Sequence, residues 1–163
     1  MPPVKIRTTP ASDAWRNVLT AFTRVNAVLA REMEAETPIS LEWYAILLML
    51  TQSGDAAMRP SDLADQIGLS RSATTRLVDR LESDGLVERR ACESDRRGTY
   101  VLLTPQGEEV FKKAGRIHLR GIDEHVGSHL TDDELAQLGA LLGKLADRVG
   151  GEALSTLTPN NTA

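Results

Sequence analysis

Two short helix-forming segments, each closed by a glycine, constrain this chain more than any other feature. Pro60-Ser61-Asp62 opens a helix that runs through Ile67 and stops at Gly68, and a glycine just past a helix end is the usual C-terminal signal. Ser70 then caps a longer helix to about Asp84, which Gly85 ends in the same way. Two helices joined by a three-to-four-residue turn containing glycine form a helix-turn-helix. After Gly85 the period changes from helical to alternating. Residues 86–90 and 99–103 read as two strands, and the polar stretch 91–98 between them reads as an exposed wing.

The flanks are helical. Ser12-Asp13 is placed to cap a helix reaching about Glu34, with Val18, Phe22, Val25, Leu29 and Met33 at helical spacing. Ser40 caps a second helix carrying Leu41, Tyr44, Leu47, Leu48 and Leu50. Thr104 with Pro105 opens a long helix to about Leu130, and Thr131 with Glu134 makes a capping box for a last one. Its stripe is Leu135, Leu138, Leu141, Leu142 and Leu145. The expected fold is mainly α with a small β-wing: a winged helix-turn-helix over 40–104, with recognition helix 70–84 and wing 86–103. Helical regions 12–35 and 105–149 surround it, and 1–11 and 150–163 read as a flexible arm and tail.

With 163 residues, 41% of them hydrophobic, the chain suits one domain with one core. Its longest apolar stretch, 44–50, is far below the roughly 18 residues of a membrane span. The N-terminus lacks the apolar region and cleavage site of a signal peptide, so the expectation is a cytoplasmic protein with no membrane partner. The single cysteine, Cys92, excludes an internal disulfide and a Cys-rich zinc site. No Gly-rich phosphate loop, Ser/His/Asp arrangement or dense carboxylate pair is present, so neither an enzyme nor a cofactor is expected. The net charge of −4 looks unfavourable for a nucleic-acid partner. Location matters more than the sum. From Arg59 to Thr104 eight arginines balance eight acidic residues, and the excess acid lies outside that segment.

Within the second helix of the pair, Leu69, Ala73, Leu77, Val78 and Leu81 fall on one face and should anchor it. Arg71, Ser72, Thr75, Arg76 and Arg80 point away. Arginine matches the O6/N7 edge of guanine bidentately, short hydroxyls reach phosphate or base, and the helix N-terminus offers free N–H groups. The candidate contacts to double-stranded DNA are Ser70, Arg71, Ser72, Thr74, Thr75, Arg76 and Arg80. An isolated helix with three arginines would be read as a solvated surface. The preceding short helix and the arginine-bearing wing change that reading.

The stretch 69–81, then Gly85-Leu86-Val87-Glu88-Arg89, Asp95-Arg96-Arg97 and Leu103-Thr104 resembles the multiple-antibiotic-resistance regulator (MarR) family. The similarity extends more loosely over 12–149. The resemblance implies a transcriptional regulator, more simply a repressor, working as a homodimer whose first and last helices interlock. It also implies a pseudo-palindromic operator, with the wing in a minor groove, where the narrow, negative groove attracts arginine. Arg97, with Arg96, is then the expected wing contact, and Asp95 the residue bracing it. A winged helix used only for protein interaction is the alternative.

Relatives often bind small aromatic or phenolic effectors between the dimer helices and the DNA-binding lobe. Trp15, Arg16, Trp43, Tyr44 and His118 are the candidate lining here, against a plainer reading as core or interface. Cys92, next to Arg89 and Arg90, reads as an inert thiol rather than a redox sensor. His125 and His129 stand four apart with His118 two turns back, a spacing able to hold a metal. Without an evident further ligand they read as solvated or interface histidines, and no metal is expected.

Overall fold

The computed structural model describes residues 8–53, 57–91 and 99–149. Among the described residues, six α-helices and a three-stranded antiparallel sheet follow one another as α1 (Pro10–Glu36), α2 (Leu41–Gln52), β1 (Ala57–Met58), α3 (Pro60–Ile67), α4 (Arg71–Ser83), β2 (Val87–Ala91), β3 (Thr99–Leu103), α5 (Pro105–His125) and α6 (Asp132–Val149). The mainly helical winged fold expected from the sequence is the one observed. No described helix is long and apolar enough to cross a membrane.

Local chemistry sets most boundaries. Gly68 sits at φ 72° and Gly85 at φ 73°, left-handed conformations that cost glycine nothing. At the end of α4, Gly85 N–H bonds Glu82 C=O and Leu86 N–H bonds Leu81 C=O, the paired closure of a Schellman motif. Ser40, Ser70 and Thr104 each accept a backbone N–H at the start of α2, α4 and α5. Two boundaries move. The first helix starts at Pro10, because Thr9 and Ser12 form a capping box around a proline whose fixed φ suits the first turn. The long helix stops at His125, and Gly127–His129 is a separate 3-10 turn. Glycine's poor helix propensity fits a break there. Strand β1 was not expected, since two residues carry no alternation to read.

The core lies around α2, which buries Tyr44, Ile46, Leu47, Met49 and Leu50 on nearly all sides. Leu63 from α3, Val78 and Leu81 from α4, and Val87 and Val101 from the sheet close over it. In the sheet, ordered β1-β3-β2, Met58 and Arg89 both pair with Val101, so one buried valine marks its centre. At the junction with α5, Thr104 N–H and Oγ1–H bond the carbonyls of Leu86 and Gly85 at 3.1 and 2.7 Å. Gly107 is pressed against the same loop: a Cβ there would stand 2.0 Å from the Leu86 carbonyl oxygen.

Helix α6 is different. Its capping box forms as read, with Thr131 N–H to Glu134 Oε2 at 2.9 Å and Glu134 N–H to Thr131 Oγ1 at 3.3 Å. The Thr131 N–H and hydroxyl, both donating to Glu134 Oε2, hold that carboxyl below its ordinary pKa. Yet no other described element packs extensively on α6, and Leu138, Leu141, Leu142 and Leu145 are exposed.

Candidate nucleic-acid interface

Helix α4 is held by its buried face. Val78 and Leu81 are fully covered, and Leu77 packs against the core from its edge. Two sequence expectations fail here. Thr74, named as a DNA contact, is 0% exposed, and its hydroxyl has no partner among the described residues. Leu69, named as an anchor, is 37% exposed. The buried stripe of α4 runs through 74, 78 and 81, the i, i+4, i+7 positions, rather than through 73. Leu69 lies before the Ser70 cap, in the turn that closes α3, where its N–H bonds the Ala64 carbonyl.

The opposite face carries Arg71, Ser72, Thr75, Arg76 and Arg80, all exposed, with Ser70 exposed at the cap. Thr75 turns its hydroxyl back onto the Arg71 carbonyl at 2.8 Å, and Ser70 Oγ lies 3.2 Å from Ser72 Oγ. Among the described residues, Arg71, Arg76 and Arg80 have no carboxylate partner. The other described arginines of the lobe are occupied. Arg90 pairs with Glu88 at 2.6 Å, and Arg59 lies over the Tyr100 ring at 5.6 Å. Arg89 pairs with Asp79 at 2.6 Å and also with Glu82. Burial opposes its charge, but the hydrogen bonds it donates to the two carboxylates outweigh that and raise its pKa. The net-neutral segment therefore presents a locally positive face on α4, because the nearby Asp79, Glu82 and Glu88 are engaged by Arg89 and Arg90.

Cys92, Asp95, Arg96 and Arg97 lie outside the described residues. The strands on either side of them pair over their whole length, from Val87 with Leu103 to Ala91 with Thr99.

Of the residues named for an effector, the structure joins Tyr44 and His118. Their ring centroids are 4.9 Å apart, and Phe111 stacks on Tyr44 at 5.5 Å, a contact the sequence reading missed. Phe111 lies seven residues before His118 on α5, two turns away, which was the available signal. Burial raises the Tyr44 pKa and lowers that of His118, whose Nδ1 is buried with no hydrogen-bond partner among the described residues. Trp43 is half-buried against the core. Trp15 is 52% exposed, and Arg16 pairs with Asp13 on its own helix.

The three histidines do not converge. His118 belongs to the Tyr44 stack, His125 bonds Glu32 on α1 at 2.6 Å, and His129 is exposed in the 3-10 turn. A groove of about 450 Å³ between α1, α6 and the end of α5 is lined by Val18, Phe22, Val25, Val126, Leu138 and Leu142 among others.

A short helix, a left-handed glycine, a capped second helix and a β-hairpin stem together define a winged helix-turn-helix. The model of the MarR family matches residues 39–99, from just before α2 to the start of β3. AbsC of Streptomyces coelicolor, a MarR family transcriptional regulator, is 30% identical, with 88% of this chain and 97% of that one covered at a TM-score of 0.78. Sco3205, a regulator of the same family and organism solved in complex with DNA, is 27% identical over 93% of this chain and 96% of that one, at a TM-score of 0.79. YfiV of Bacillus subtilis, described as an uncharacterized HTH-type transcriptional regulator, is 38% identical over 74 residues, only 45% of each chain. This chain belongs to the MarR family, whose members are transcription regulators rather than enzymes.

Proposed function

We propose that the protein is a cytoplasmic, sequence-specific DNA-binding repressor that acts as a homodimer on a pseudo-palindromic operator. The observation that carries this reading is the arrangement on α4: three unpaired arginines on one exposed face, beside carboxylates already committed to Arg89. A helix presented in this way suits the major groove, with Arg71 and Arg76 near its N-terminal half able to take guanine edges. Arg96 and Arg97, braced by Asp95, are assigned to the flanking minor groove on sequence grounds. A second copy is the occupant that suits the exposed leucines of α6 and the apolar groove beside them. Repression follows from a compact dimer occupying promoter DNA. A small aromatic effector near the Tyr44–His118 pair would relieve it by preferring a lobe spacing that DNA does not accept.

The test is titration of the purified protein against its own upstream intergenic DNA at several salt concentrations. The expected result is a tight complex with a steep salt slope, since each neutralised phosphate releases counterions, and a two-fold symmetric footprint. Arg71→Ala or Arg76→Ala should cost about 1–3 kcal/mol and relax base preference, while Arg97→Ala weakens binding to every sequence alike. No complex even at low salt would favour a protein-interaction module instead.

A further inference from the structure

The ion pairs around Arg89 join two elements that must read DNA together. Asp79 and Glu82 lie three residues apart on α4, so both reach the same side of the helix. Arg89 lies on β2, and its guanidinium contacts both carboxylates. Its backbone N–H also donates to Glu82 Oε1 at 3.1 Å. Because β2 is the edge strand of the described sheet, that carboxylate takes the place of a neighbouring strand. The attachment point is rigid on both sides. Arg89 pairs in register with the fully buried Val101, and Asp79 and Glu82 each follow a fully buried residue, Val78 and Leu81.

We infer that Arg89, Asp79 and Glu82 form a positioning clamp that sets operator specificity by locking the β2–β3 stem to α4, and that Arg89 is not itself a DNA contact. This rests on the DNA-reading proposal above. A helix in one groove and a hairpin in the next can both engage only if their separation is fixed, and a non-specific complex needs no such fit. The clamp therefore favours the operator over bulk DNA without adding any contact to either.

The experiment compares wild type, Asp79→Ala/Glu82→Ala and Arg89→Met on two probes. One is the best duplex that wild type selects from a random-sequence pool; the other is poly(dI-dC). Removing two carboxylates beside the arginine face should tighten all DNA binding if charge alone mattered. The clamp requires the opposite on the selected duplex: binding weaker by about tenfold or more, with poly(dI-dC) bound as well as before or better. Arg89→Met should show the same selective loss with an unchanged salt slope. The clamp is overturned if the double variant binds the selected duplex as tightly as wild type. It is also overturned if any variant loses both probes alike, or if Arg89→Met lowers the salt slope by about one, the mark of a phosphate contact. Failure of wild type to prefer any duplex would instead remove the DNA-reading proposal, and the clamp with it.

Discussion

The winged lobe and the α1/α5/α6 scaffold solve the burial problem in different ways. In the lobe, 39–103, the apolar side chains of α2, α3, α4 and the sheet cover one another, and the largest of them are fully enclosed. In the scaffold, Trp15, Leu19 and Phe22 of α1, Leu119 of α5 and four leucines of α6 stay exposed. Scattered surface leucines are ordinary, but a continuous stripe on a capped helix with little packed against it is not. The described lobe encloses its own core; the scaffold leaves an apolar stripe uncovered, the face assigned above to a second copy in the proposed homodimer.

The sharpest way to break that contrast is Leu138→Asp/Leu142→Asp. Each leucine buried in a dimer is worth about 1.5–3 kcal/mol, so the double change should weaken association by more than about a hundredfold. Sedimentation velocity would show the mass halved, whereas an unchanged mass would detach the stripe from assembly. Next is the junction between the two regions. Gly107→Ala drives a methyl into the Leu86 carbonyl, backbone that cannot swing aside, and should cost about 3 kcal/mol in urea unfolding. A smaller loss would mean that α5 can slide on the lobe.

Within the lobe, Thr74→Val replaces an enclosed, unpartnered hydroxyl with a methyl. It should stabilise the protein by about 1 kcal/mol, raising the melting temperature, and leave DNA affinity within about twofold. A large loss of affinity would restore Thr74 as a contact. The smallest effect is at the seam where His118 of α5 meets Tyr44 of α2. Burial lowers the His118 pKa, so the fold holds the neutral ring while the unfolded chain titrates near the ordinary value of about 6.5. Its contribution is present above that value and is lost as pH falls through the lower folded pKa. Urea midpoints between pH 8 and 5 should therefore fall more steeply for wild type than for His118→Phe. Parallel curves would contradict this.

Much of this was legible because it is local. Caps at Ser40, Ser70, Thr104 and Thr131 and the glycine stops at 68 and 85 are each set by a few adjacent residues. The misreadings came where the answer depended on tertiary packing. The face of α4 that buries Thr74 depends on how α4 meets α3 and β2, and the exposure of Leu69 on the turn between α3 and α4. The commitment of Arg89 depends on residues seven and ten positions away. Seen in sequence, Arg71, Arg76, Arg80, Arg89 and Arg90 are five equal cations; the fold divides them into three that are unpaired and two already satisfied.

The most direct test of the account is native mass spectrometry of the protein alone and with its upstream duplex. Two chains alone and two chains per duplex are the expected masses, with the duplex complex lost as salt rises. A single chain on DNA, or a dimer that ignores the duplex at low salt, would contradict a DNA-reading lobe carried by a two-chain scaffold.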